Sequence, residues 1–215
     1  MADIAVFGGS GMIGSRIVDE ALHRGHTVTA LARDRTRLPH EDERLRVADA
    51  DVLDPSAVTA AARGRDVLVS AVGGGDGSGH RRLVEPSART IVAALRDLRE
   101  PPRFIMVGGA GSLETVPGKQ VWDTPGLPED VLETMHAHGD ALEFLRGVTD
   151  LDWTNLSPPA VIEPGERTGG YRTDTDRLVA DGRGNSRISA EDYAVALVDE
   201  IESPRHRNER FTVGD

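Results

Sequence analysis

Phe7-Gly8-Gly9-Ser10-Gly11-Met12-Ile13-Gly14 decides how this chain folds. The stretch follows an apolar, β-prone run from Ile4 to Phe7. Behind it Ile13, Ile17 and Ala21, with Val18 and Leu22, recur at helical spacing, so the glycines sit where a strand hands over to a helix. A side chain at Gly8 or Gly11 would obstruct the turn or the approach of a pyrophosphate to backbone N–H groups. Gly14 lets the helix pack closely on the strand. The helix N-terminus then offers the positive end of its dipole to an anion. Gly9, Gly11 and Gly14 spell GxGxxG, whereas Gly8, Gly11 and Gly14 spell GxxGxxG. Because Gly8 directly follows Phe7, the second register is expected. Such a turn taken alone is equally a structural one, and its strand–helix setting is what points to a dinucleotide.

With 215 residues, 38% hydrophobic and 28% charged, the chain is long enough for one well-buried unit and short for two. We therefore expect a single dinucleotide-binding domain over 1–215, with a Rossmann-like core at 1–156 and a substrate-side segment with a closing helix and strand at 157–215. A net charge of −11 argues against general affinity for nucleic acid or anionic membrane, since phosphate neutralisation needs clustered Lys and Arg. The basic stretch Arg33-Asp34-Arg35-Thr36-Arg37 is short and mixed with acid. No cysteine is present, which excludes disulfides, thiolate metal sites and a cysteine nucleophile. No run approaches the ~18 apolar residues that span a bilayer, and the first strand begins without a basic-then-apolar leader, so a cytoplasmic protein, monomeric or homodimeric, is expected.

Strand-like runs at Ile4–Phe7, His26–Leu31, Leu45–Ala48, Val67–Ala71, Phe104–Val107 and Trp153–Leu156 alternate with helical ones. That alternation predicts an α/β, doubly wound, mostly parallel sheet. Asp54-Pro55 reads as a cap followed by proline at the first helical position. Gly64 stops that helix, and Glu100-Pro101-Pro102 ends one begun near Arg81. Ser189-Ala190-Glu191-Asp192 resembles a capping box that opens a last helix, and Arg210–Val213 is expected to join the sheet edge. Two irregular stretches remain, Gly108–Pro128 and Ser157–Ser189. Both follow strands, where open α/β sheets bind ligands. Trp122 and Tyr171 in them suit a cover over a planar ligand; a surface loop with a small hairpin at Gly182-Arg183-Gly184 is the plainer reading of the second.

The end of the second strand, about 20 residues past the last glycine, is where an acid would hold the adenosine ribose of NAD. Arg33 stands there instead. A guanidinium fits a 2′-phosphate by charge and paired hydrogen bonds, which favours NADP(H) over NAD(H). Asp34 lies one residue on, is the confounder, and reads as a cap for the following turn. After the third strand, Asp51 is the better candidate to accept from an adenine amino group, with Val52 against the ring. Asp49 and Asp54 read as solvent-facing and helix-capping. After the fourth strand, Ala71-Val72-Gly73 would let the cofactor lie against backbone, although the glycines from Gly73 to Gly79 read equally as a mobile loop.

Nearly end to end, the chain resembles the atypical short-chain dehydrogenase/reductases with an NAD(P)H-binding domain, the NmrA-like and NADH-flavin reductase-like group. The motifs are GGSGMIGS, LARD, DADVLDPSAV, FIMVGGAGS, DLDWTNLSPPAVIEPGERTG, SRISAEDYAVALVDEIE and RFTVGD. The resemblance implies that Gly8, Ser10, Gly11, Met12, Ile13, Arg33, Asp51, Val52, Ala71, Val72 and Gly73 hold the cofactor. It also implies that Ser157, Pro158 and Ala160 pass near the nicotinamide.

The chain departs from the wider superfamily in lacking Tyr-x-x-x-Lys. Tyr171 is followed at that offset by Thr175, Tyr193 by Leu197, and Lys119 is the only lysine. Thr134 and His138 occupy the expected place, four apart on one helical face, so His138 could stand in for the lysine. Threonine is a poor proton donor without activation. Ser112 and His138 are the candidates for polarising or protonating an acceptor, against plainer readings as a turn residue and an exposed helical histidine. In His136-x-His138-x-Asp140 only the outer two share a helical face, so no metal is expected. The expected activity is NADP(H)-dependent reduction of a flavin, quinone or similar conjugated small molecule. The alternative is a non-catalytic redox sensor of the NmrA-like type. An isomerase or epimerase is disfavoured by the missing proton-handling pair.

Overall fold

The computed structural model describes residues 1–34, 36, 38 and 42–215; Arg35 and Arg37 of the basic stretch lie outside the described residues. In chain order the strands are β1 (Asp3–Phe7), β2 (Thr27–Ala32), β3 (Leu45–Asp49), β4 (Val67–Ser70), β5 (Arg103–Val107), β6 (Glu114–Val116), β7 (Lys119–Gln120), β8 (Trp153–Ser157), β9 (Val161–Glu163), β10 (Arg172–Asp174), β11 (Arg187–Ser189) and β12 (Glu209–Gly214). The helices are α1 (Met12–His23), α2 (Pro55–Ala62), α3 (Gly77–Arg96), α4 (Glu129–Arg146) and α5 (Ala190–Glu202).

Eight strands form the main sheet in the order β10-β12-β8-β5-β4-β1-β2-β3, all parallel except β10. Alternate strand residues serve opposite faces. Ile4, Val6, Val69, Ile105, Leu156 and Phe211 pack with Ile17, Ala21, Tyr193 and Leu197 of α1 and α5. Phe7, Leu68, Phe104, Met106 and Trp153 pack with Val84, Ile91, Leu95, Ala141 and Leu145 of α3 and α4. From β1 the chain winds outward through β2 and β3, then returns to β4 on the other side. The strand order therefore reverses between β1 and β4, and the crevice beyond their carboxyl ends is the switch point where such sheets bind ligands.

Several sequence expectations change. The last strand, placed at the edge, lies inside the sheet between β8 and β10, because β10 folds back antiparallel against it. Helix α3 begins at Gly77, four residues before Arg81, because Asp76 caps it by accepting from Gly79 N–H at 2.6 Å. The glycines after Gly75 are thus helix rather than loop. Both irregular stretches contain short strands: β6 pairs with β7, and β9 pairs in parallel with β11. Asp181–Asn185 does turn, yet its flanking strands pair elsewhere, so no hairpin forms there. Segments of two or three residues are too short to show a period. Ser189 accepts from Asp192 N–H at 2.9 Å, but the Asp192 carboxylate does not close the box. It accepts instead from Thr168 N–H, Thr168 Oγ1 and Gly169 N–H, fastening the segment after β9 to α5. Among the described residues no helix is long and apolar enough to cross a membrane.

The same segment is tied to α1 by Arg167, which makes two hydrogen bonds to buried Glu20 at 2.7 and 2.8 Å. Those bonds and Arg24 outweigh burial and hold the Glu20 carboxyl at about 2, below its ordinary 4.5. A carboxyl depressed in the folded state contributes stability above its unfolded pKa and loses it as pH falls through the folded one. Glu20→Gln is expected to flatten the decline in stability between pH 4.5 and about 2. Urea midpoints across that range measure it, and an unchanged slope contradicts it.

Candidate functional site

The glycine turn joins β1 to α1 at the switch point. Gly8 has φ +81°, and a Cβ there would lie 2.5 Å from Ala71 O at the end of β4. A Cβ on Gly14 would lie 2.1 Å from Gly8 O, so bare backbone is what lets α1 start against the turn. Gly11 is less constrained, with Gly8 O at 3.2 Å, and Gly9 would meet Ala30 Cβ at 3.1 Å. The two positions that demand glycine are therefore the first and last of GxxGxxG. Gly8 and Gly9 N–H donate to Leu31 O, and Gly11 N–H to Gly8 O, which fixes the loop. Met12 and Ile13 open the first helical turn, where N–H groups have no intrahelical acceptor. Ser10 precedes them, and Met12 is exposed. A cradle of this form, closed to side chains and headed by a helix N-terminus, fits a pyrophosphate.

On the β2–β3 side, Arg33 is exposed just past β2. Asp34 accepts from Thr36 N–H at 3.0 Å and Thr36 Oγ1 at 2.6 Å, so it caps the next turn. Asp51 is exposed and holds its own turn through Leu53 N–H, while Val52 is buried. Asp54 caps α2 through Ser56 N–H.

Across the switch point, Ala71 and Val72 are half-buried and Gly73 is exposed. The His80 ring lies against Gly73, its Nε2 3.0 Å from where a Cβ would stand. After β5, Gly108, Gly109 and Gly111 are pressed from three sides. Added Cβ atoms would meet Asn155 Oδ1 at 2.3 Å, His138 Cβ at 2.7 Å and Met135 Cβ at 2.5 Å. His138 is therefore packed under this loop rather than being an exposed helical histidine. Its Nδ1 is enclosed without a hydrogen-bond partner, and burial, helped by the nearby His80, pushes its pKa down to about 4. At neutral pH it is uncharged, so it can replace the missing lysine by hydrogen bonding but not by charge. Thr134 donates to Asp130 O of its own helix at 2.9 Å.

Ser112 Oγ accepts from buried Arg210 of β12 at 2.7 Å. Arg210 is also ion-paired with Asp176. With its oxygen held, the Ser112 hydroxyl keeps its hydrogen to donate. At the end of β8, Ser157 is buried, as is Pro158 just past it, and Ala160 is exposed, with Ala160 N–H donating to Ser186 Oγ. Arg210, Asn155 and His80 escaped sequence reasoning. The first two act through partners far along the chain, and for His80 the one available signal was its place four residues past the Asp76 cap.

Of the two aromatic residues suggested as a cover, Trp122 borders the loop after β5, its backbone N–H donating to Gly111 O at 3.1 Å, whereas Tyr171 lies away from the crevice. Trp122 lies on Gly139 of α4 and stacks on His136, with ring centroids 5.0 Å apart. The Tyr171 hydroxyl donates to Asp199 of α5 at 2.5 Å; burial and that carboxylate both raise its pKa. The other tyrosine, Tyr193, is buried and donates to Leu156 O. Lys119 sits on the small β6–β7 pair. A cavity of about 490 Å³ lined by Glu163, Tyr171, Arg172, Arg187 and Asp192 is separate from the crevice, since none of the residues at 8–14, 71–73 or 108–112 lines it.

A family model described as NAD(P)H-binding matches residues 8–204. The chain is 45% identical to a solved candidate exported protein of Burkholderia pseudomallei, with a TM-score of 0.89 and 100% of both chains covered. It is 39% identical to a candidate epimerase of Bacteroides thetaiotaomicron, TM-score 0.89, covering 99% of this chain and 96% of that one. A candidate NADH-flavin reductase of Streptococcus pneumoniae TIGR4 is 30% identical, TM-score 0.86, with both chains fully covered.

Proposed function

The chain belongs to the NAD(P)H-binding family, and we propose that it is an NADP(H)-dependent reductase that passes hydride to a flavin, quinone or similar conjugated small molecule. The observation that carries this reading is the state of the proton-handling groups. Both tyrosine hydroxyls are engaged on the α5 side, Thr134 is bonded to its own helix, and His138 is uncharged. Reduction of a simple ketone or sugar relies on a tyrosine hydroxyl activated by a neighbouring lysine, and none of these groups supplies that pair. A conjugated acceptor spreads the incoming charge itself, so binding and orientation supply most of the catalysis. The candidate NADH-flavin reductase of Streptococcus pneumoniae is consistent with such an acceptor.

When bound, the reduced nicotinamide supplies the hydride. The protein's part is divided among four groups of residues. Gly8, Ser10, Gly11, Met12 and Ile13 present the cradle to the pyrophosphate, and Ala71, Val72 and Gly73 offer a wall without side-chain bulk. Arg33 takes the 2′-phosphate, with Asp51 and Val52 at the adenine. Ser157, Pro158 and Ala160 border the nicotinamide. Ser112 donates a hydrogen bond to the acceptor, its oxygen held in place by Arg210. His138 supports the acceptor as a neutral hydrogen-bonding group.

NADPH oxidation followed at 340 nm with FMN, riboflavin and a series of 1,4-quinones tests the reading. Turnover with at least one of them supports it. Tight NADPH binding with no turnover on any of them overturns it and favours the redox-sensor reading, to which the engaged tyrosines also lend support. A sensor would bind NADPH and NADP⁺ with different affinities and consume neither.

A further inference from the structure

His80 and His138 meet where the β4 loop and the β5 loop face each other, their ring centroids 5.6 Å apart. Each ring is held differently. His80 Nδ1 lies 2.8 Å from Asp76 O, and a carbonyl oxygen only accepts, so Nδ1 carries a hydrogen. That leaves Nε2 as the nitrogen that gains and loses a proton, and it is the Nε2 atom that lies against Gly73 on the crevice side. His138, on α4, has its Nδ1 enclosed and unpartnered. A second charge on the enclosed ring would be opposed by burial and by a charged His80. Only one of the two rings can thus carry a proton into the crevice, and it is the one whose position is set by the helix cap. The charged groups around the pair are Asp76, acted on by Arg82, together with the Arg81 side chain of α3, which lies 4.0 Å from Glu133 and 3.9 Å from Asp140 of α4.

We infer that His80, packed beside His138, is the residue that delivers a proton from Nε2 to the reduced acceptor; this rests on the reductase reading above. The acceptor gains one hydrogen and two electrons as hydride from the dinucleotide and one proton from His80. The imidazole is left neutral, still bonded through Nδ1–H to Asp76 O, and is recharged from solvent.

The test compares a 1,4-quinone, which needs a proton as well as hydride, with the N-methylacridinium ion, which takes hydride alone. His80→Asn keeps an N–H where Nδ1 donates to Asp76 O and removes the titrating nitrogen. The ratio of quinone to acridinium kcat is expected to fall about 100-fold, the usual scale of general-acid assistance. The fall of quinone reduction with rising pH should disappear in the same variant. A ratio and pH profile equal to wild type overturn the inference. If the wild-type protein reduces none of FMN, riboflavin, the 1,4-quinones and the acridinium ion, the reductase reading itself fails and takes this role with it. A second measurement covers a variant that does not fold: in the wild-type protein the imidazole ¹⁵N signals of His80 should show Nδ1 protonated and should shift on adding NADP⁺. Protonation at Nε2 instead, or signals indifferent to the nucleotide, overturn the assignment.

Discussion

Gly14→Ala is expected to weaken NADPH binding by about 100-fold and to lower the melting temperature by several degrees. The added Cβ would stand 2.1 Å from Gly8 O and 2.8 Å from Gly8 C, and both atoms are backbone, so no side chain can swing away. Either α1 retreats from β1 or the turn opens. Overpacking of this kind costs about 1–3 kcal/mol, roughly 2–4 °C of melting temperature per kcal/mol for a chain of this size. Binding suffers more than stability, because the N–H groups of Met12 and Ile13 move with the helix; a displacement near 1 Å at such a site costs on the order of 100-fold. Gly9→Ala is the control. Its nearest neighbour would be Ala30 Cβ at 3.1 Å, a side-chain contact that small shifts relieve. Titration calorimetry with NADPH on both variants should therefore separate them widely. Equal losses would mean that the register running from Gly8 is wrong.

Arg33→Glu is expected to weaken NADPH binding by about 2–3 kcal/mol, roughly 30- to 150-fold, while NADH binding changes little. Hydrogen bonds from a guanidinium to a phosphate are charge-assisted, and reversing the charge replaces attraction with repulsion. Arg33 is exposed just past β2, so the substitution should leave thermal unfolding near its wild-type midpoint. Dissociation constants must be compared at one salt concentration, since exposed charges are screened. Parallel losses for both nucleotides would show that Arg33 does not read the 2′-phosphate.

The framework of the site was legible because its signals are local. Phe7–Gly14 announces a strand, a turn and a helix within eight residues. Asp54 and Ser189 cap the helices their positions promised. Asp34 turned out to hold the turn after β2, as its place beside Arg33 suggested. What stayed hidden depends on contacts between distant segments. Arg210 reaches Ser112 from 98 residues away. The Asp192 carboxylate looked like half of a capping box and instead holds Thr168 and Gly169. Trp122 and Tyr171 had the composition of a ligand cover; Trp122 does border the crevice loop at Gly111, whereas the Tyr171 hydroxyl is spent on Asp199. His138 sits on a helix of only moderately apolar character, so nothing in its neighbours showed that the Gly108–Gly111 loop would close over it.

Single-turnover oxidation of NADPH by the wild-type protein, with a 1,4-quinone in excess and [4,4-²H₂]NADPH run alongside, bears most directly on the central claim. The account predicts that absorbance at 340 nm falls far faster than in protein-free buffer and that deuteration slows it several-fold, because hydride leaves C4 in the step the protein promotes. Oxidation no faster than in buffer, despite saturated NADPH binding, would contradict it.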